Sequence, residues 1–132
     1  MNYSDIINVH LGLAELQKLK LPVRKGWAVY QLSKKIEDCY VFYCAEERKI
    51  ATQYAMCAGG NPVITADGQI SFSSPERKKD YLIEINALQT SFAGEFETID
   101  ITDRDIGGQT ISPETIGRLS MVINFILNNE ED

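Results

Sequence analysis

Between Trp27 and Ala58 no proline or glycine interrupts the chain. Within that stretch Val29, Leu32, Ile36, Tyr40, Tyr43, Ile50, Tyr54 and Cys57 recur mostly at intervals of three, four or seven. That is the period of one helix face and not of a strand. A helix over the whole stretch would be about 45 Å long at ~1.5 Å per residue, roughly three times the usual length. A chain of 132 residues buries such a rod only by wrapping other elements around it or by pairing it with another copy.

The stretch is rich in large rings: Trp27, Tyr30, Tyr40, Phe42, Tyr43 and Tyr54. From Tyr40 to Ala45 the apolar residues run most of the way round, so this section is expected to be buried on several sides. The charges on either side, Lys34, Lys35, Glu37 and Asp38, then Glu46, Glu47, Arg48 and Lys49, balance and read as a solvated face. The favoured reading is a long core helix. Trp27, Tyr30, Tyr40 and Tyr43 are the candidate interface residues, since Tyr and Trp are enriched where proteins meet.

A hydrophobic fraction of 44% suits a globular fold, and the length suits one domain, expected over residues 1–127 with a disordered acidic tail at 128–132. No apolar run reaches the ~20 residues a bilayer span needs. Met1 to Asp5 lacks the basic-then-apolar layout of a signal peptide, so a cytoplasmic protein is expected. Cys39, Cys44 and Cys57 are odd in number, lack a CxxC pair and fall on the expected long helix. Buried, reduced thiols follow. The net charge of −6 is uneven. Residues 94–132 carry nine acids against Arg104 and Arg118, a net −7, while residues 1–93 carry +1. Such an acidic end argues against direct nucleic-acid contact. It suits a basic partner, or the chain's own basic cluster of Lys18, Lys20, Arg24 and Lys25.

In chain order, Ser4 is the expected cap of a first helix over Asp5–Lys20, with Ile6, Val9, Leu13 and Leu16 inward and Pro22 ending it. Gly26-Trp27 opens the central helix and Gly59-Gly60-Asn61-Pro62 stops it. Asp67-Gly68, between Val63-Ile64-Thr65 and Gln69-Ile70-Ser71-Phe72, predicts a β-hairpin. Ser73 or Ser74 caps a third helix, with Pro75 at its first position and Tyr81, Leu82, Ile85, Leu88 and Phe92 inward. Phe96–Ile101 is an expected third short strand that could extend the hairpin's sheet. Ser112-Pro113-Glu114 starts a fourth helix, whose stripe is Ile116, Leu119, Val122, Ile123 and Ile126. The fold class is therefore α+β, mostly α: about four helices around one long central helix, with a β-hairpin and a third short strand.

Chemistry-bearing constellations are sparse. His10, the single histidine, has no acid or Cys at ligand spacing and reads as a surface or half-buried ring. Ser73, Ser74, Arg77, Lys78 and Lys79 form a basic helix start that could take an anion, although salt bridges or solvation explain those cations as well. Asp100, Asp103 and Asp105 are the candidate metal ligands. Their spacing does not fit a calcium loop, and an acidic turn is the plainer account. No cofactor is expected.

Several features resemble a set of small proteins of phages and prophages of Gram-positive bacteria. They are the Glu15-Leu16-Gln17-Lys18-Leu19-Lys20-Leu21 helix end, the charged long helix with Glu46, Glu47 and Tyr54, and the Asp67-Gly68 turn followed by Ile70 and Phe72. The helix holding Glu84 and Leu88 before an acidic strand completes the set. The resemblance covers most of the chain and implies a phage setting, with no activity and no functional residue to carry over. The aromatic content, the cysteines and the Pro22 turn depart from it. The functional expectation is a non-enzymatic interaction protein acting through protein–protein contacts or self-assembly, as a virion component or a modulator of a host protein, and a homo-oligomer. The alternative is a metal-dependent hydrolase using the Asp100–Asp105 turn, with Glu97 nearby.

Overall fold

The computed structural model describes residues 1–127, so the tail expected at 128–132 lies outside the described residues. The expected α+β, mostly helical layout around one long helix is observed. The order is α1 (Tyr3–Leu16), α2 (Val23–Tyr54), β1 (Cys57–Ala58), β2 (Asn61–Pro62), α3 (Pro75–Gln89), β3 (Ile99–Thr102), α4 (Asp103–Ile106), α5 (Pro113–Leu119) and β4 (Ile123–Ile126).

The caps explain most of the helix starts. The cap of α1 is Asn2, two residues before the expected Ser4. Its side chain accepts the Asp5 N–H at 2.9 Å while the Asp5 carboxylate accepts the Asn2 N–H at 3.0 Å. This reciprocal box satisfies two of the free N–H groups at a helix start. Ser74 and Ser112 cap α3 and α5, each with proline at the first position. Proline fits there because its missing N–H would have had no helical partner. The central helix begins at Val23, directly after Pro22, and takes Gly26 into its first turn. It ends at Tyr54, where Ala55 turns extended.

Gly59 and Gly60 are therefore not the helix stop. Both have positive φ, 60° and 82°, and they join β1 to β2 in the two-residue connection that such angles favour. The Asp67-Gly68 turn forms as well, with the Thr65 N–H donating to the Gln69 carbonyl at 2.7 Å. Its arms pair only at an Ile64–Ile70 bridge, so the expected hairpin shrinks to one rung beside the two-rung β1–β2 pair.

The largest departure lies in the last third of the chain. The fourth helix expected through Ile126 ends at Leu119, and residues 123–126 form β4, which runs parallel to β3 with Ile99 opposite Ile123 and Asp100 opposite Asn124. The third strand therefore does not extend the hairpin's sheet. Two causes favour a strand here. Val122, Ile123, Phe125 and Ile126 are β-branched or aromatic, and a turn closes α5 through the Val122 N–H to the Leu119 carbonyl at 2.9 Å. Residues 103–122, with α4 and α5, supply the long crossover a parallel pair requires.

Two packing zones divide α2. Its N-terminal half contributes Val29, Leu32 and Ile36 to a core with Ile6, Val9, Leu13 and Leu16 of α1, together with Ile101, Ile106, Leu119, Val122 and Ile123. Its C-terminal half buries Tyr43 and Ala51 on the side where α3 contributes Ile85. Cover on this second zone is thinner than expected. Leu82 and Phe92, placed inward from the sequence, are exposed, and Tyr81 and Leu88 are half-buried. The Tyr40–Ala45 section is likewise not surrounded, since Val41, Phe42, Cys44 and Ala45 face outward. A helix covered on one flank buries one stripe, however apolar the rest of its surface.

Candidate interaction surface

The cysteines do not form a buried set. Cys39 is half-buried and Cys44 exposed on α2, whereas Cys57 lies exposed in β1.

The four rings proposed as interface residues separate into three environments. Trp27 and Tyr30 stand on the outer face of α2, 59% and 46% exposed. They stack with centroids 5.6 Å apart and planes 18° from parallel. Their i, i+3 spacing on a helix places them side by side, and Lys34 Nζ sits 5.6 Å from the Tyr30 ring, within cation–π range. Tyr40 is half-buried and lies flat on His10 of α1, with centroids 4.0 Å apart. Tyr43 is only 2% exposed and belongs to the chain's own core. Its hydroxyl donates to Glu47 Oε2 at 2.9 Å and accepts from Gln89 Nε2 at 3.1 Å. Burial holds that hydroxyl neutral and pushes its pKa up to about 12, with Glu47 adding to the shift and the Gln89 bond opposing it.

Sequence reasoning missed the second exposed patch of α2. Val41 is 60% and Phe42 50% exposed. Tyr3 of α1 lies 5.8 Å from the Phe42 ring and 6.1 Å from the Tyr43 ring. The signal was available in the outward spacing of Trp27, Lys34 and Val41, each one heptad from the next.

Of the expected anion residues, Ser74 and Arg77 are committed. Ser74 Oγ accepts the Arg77 N–H at 3.2 Å. The Arg77 guanidinium donates to the Gln53 carbonyl and lies 5.1 Å from the Tyr54 ring. It thus ties the start of α3 to the end of α2. Ser73 is exposed, and Lys78 and Lys79 border a shallow patch with Pro75, Leu82, Ile83 and Asn86. Arg77 is thus taken up by the end of α2, while Lys78 and Lys79 stay exposed.

The three aspartates are not gathered around one point. Asp105 completes a capping box with Thr102 and pairs with Lys25 at 3.5 Å. The Thr102 N–H does most to hold its carboxyl below the usual range; desolvation opposes it and the Lys25 ammonium adds to the lowering. Asp100 accepts from Asn124 across the β3–β4 pair at 3.1 Å, and Asp103 lies in α4. Among the described residues no group of three or more His, Cys, Asp or Glu side chains could hold a metal ion.

The acidic third meets the basic turn. Lys25 Nζ also donates to the Asp100 carbonyl. The Lys20 N–H donates to Gln109 Oε1 at 2.7 Å, and Gln109 Nε2 returns a bond to the Lys20 carbonyl at 2.8 Å. A groove of about 230 Å³ between α1 and α2 is lined by His10, Ser33 and Glu37 among others. No hydrogen bond joins any two of these three, and the Ser33 hydroxyl oxygen is buried without a partner. No helix among the described residues is long and apolar enough to cross a membrane. Comparison with protein-family models, with curated proteins and with solved structures found no match to this chain.

Proposed function

We propose that this chain is a non-enzymatic interaction protein, of the phage or prophage type its sequence resembles, which acts through protein–protein contacts or self-assembly. The observation that supports it most is the stacked Trp27–Tyr30 pair, exposed at the start of α2 beside an exposed Val23. Exposing two large rings to water is unfavourable, whereas aromatic pairs of this kind anchor interfaces. The test is affinity capture from a bacterial lysate that also contains an untagged copy of the chain, with the eluates identified by mass spectrometry. Wild type is compared with the Trp27→Ser, Tyr30→Ser double variant. A protein held stoichiometrically by wild type and lost by the variant is expected. Identical eluates from the two would refute the reading.

A further inference from the structure

The outer edge of α2 carries a regular seam. Val23, Trp27, Tyr30 and Lys34, then Glu37, Val41, Cys44 and Arg48, are spaced alternately by four and three, and all eight are exposed. Apolar residues at this spacing are what a second helix follows in a supercoil, and Val23, Trp27, Tyr30, Val41 and Cys44 supply them at five of the eight positions. The inward stripe of α2 already serves the chain's own core, so this seam is a second, solvent-exposed face of the same helix, bordered by α1 beside Tyr30, Lys34 and Glu37 and by β2 at Arg48, which donates to Asn61.

The seam is antisymmetric in charge about its own midpoint. Lys34 precedes the centre and Glu37 follows it. A two-fold axis through residues 35 and 36 would place Lys34 against the partner's Glu37 and Glu37 against the partner's Lys34. The same axis would set Tyr30 against Val41 and Trp27 against Cys44, each twice. A parallel arrangement would oppose Lys34 to Lys34 and Glu37 to Glu37. Like charges set directly opposite are unfavourable, and an isologous contact must be self-complementary.

We infer that a second copy of this chain docks antiparallel along the Val23–Arg48 seam of α2, aligned by reciprocal Lys34–Glu37 pairs. The seam is about 38 Å long at ~1.5 Å per residue. Within one chain Lys34 and Glu37 already approach to 3.6 Å. An exposed pair of this kind contributes little, so exchanging it for two pairs between copies is not opposed by a strong intrachain contact. The inference rests on the interaction reading above and names its partner.

Sedimentation equilibrium on the full chain tests it, with Lys34→Glu and Glu37→Lys made separately and then mixed in equal amounts. Both side chains are exposed, so neither substitution disturbs the core. A wild-type dimer is expected. Each single variant places four like charges at the centre and should dimerise at least about tenfold more weakly. The equimolar mixture restores opposite pairs and should recover dimer at wild-type strength. A wild-type protein that stays monomeric throughout the concentration range overturns the pairing. So do single variants that associate as wild type does, or a mixture that does not recover. A monomeric wild type would overturn this pairing and still leave open the capture of a different protein through Trp27 and Tyr30, so this inference and the broader reading fail separately.

Discussion

Replacing Gly12 with alanine should destabilise the protein, although alanine is the better helix former. The residue lies in α1 against α5, and a Cβ added there would stand 2.8 Å from Leu119 Cγ, 2.9 Å from Leu119 Cδ2 and 3.1 Å from Arg118 Cβ. Leu119 is fully buried, so it has little room to yield. Alanine gains about 1 kcal/mol of helix propensity over glycine, and overpacking a well-filled core costs about 1–3 kcal/mol. The expected net loss is about 1 kcal/mol, a fall in Tm of about 4 °C for a domain of this size. Leu119→Ala removes both of the closest atoms at its own cost of about 2–5 kcal/mol. In that background the same Gly12→Ala change should become neutral or stabilising by up to about 1 kcal/mol. Urea unfolding followed by far-UV circular dichroism on the four proteins of this cycle gives the coupling, expected near 2 kcal/mol. If Gly12→Ala stabilises the wild-type background as much as the Leu119→Ala background, the close α1–α5 contact is wrong.

Two pH-dependent effects follow from the titrating groups. The Tyr43 hydroxyl has a folded pKa near 12, above its ordinary value, so its contribution is complete below pH ~10 and lost as pH rises through ~12. Thermal scans should show stability falling across that window, with a shallower fall in Tyr43→Phe, which also loses about 1 kcal/mol at neutral pH with the Glu47 and Gln89 bonds; parallel curves for the two proteins would contradict the assignment. Asp105 is held below the carboxylate range by the Thr102 N–H and then Lys25, so its contribution is present above that range and fades as pH falls. Asp105→Asn should accordingly be less stable than wild type at pH 7, and the gap should narrow as pH falls below the ordinary carboxylate range; a constant gap would show that the pairing is not electrostatic.

What could be read from the sequence depended on how local the cause was. Ser74-Pro75 and Ser112-Pro113 were legible because a cap needs only the next three residues to form. The cap of α1 was misplaced by two residues because Asn2 and Ser4 are both good caps, and Asn2 is held by its pairing with Phe92, beyond the end of α3. Leu119, Val122, Ile123 and Ile126 fit helical spacing as well as they fit a strand. The deciding partner was Ile99–Thr102, which no local window contains. The same division holds at the surface. The exposure of Trp27 and Tyr30 follows from their positions opposite Val29, Leu32 and Ile36 on one helix. The burial of Tyr43 required α3 and Gln89, 46 residues away. The aspartates looked like a cluster in sequence but part in space, because one belongs to a strand rung and another to a cap.

The placement of Leu119, Val122 and Ile123 in the core bears on how the chain folds during synthesis. These three side chains close the cavity that Ile6, Val9 and Leu13 leave open, and the Arg118–Asn8 hydrogen bond beside them spans 110 residues. On a ribosome the two N-terminal helices emerge early and wait for that plug. At roughly 5–20 residues per second the wait lasts several seconds, with the side of α1 that packs on α5 bare throughout. A nascent chain of this design is exposed to chaperones, proteases and its own siblings for most of its translation. A premature stop just before Leu119 would release a product that has both N-terminal helices but lacks Leu119, Val122 and Ile123 of its core.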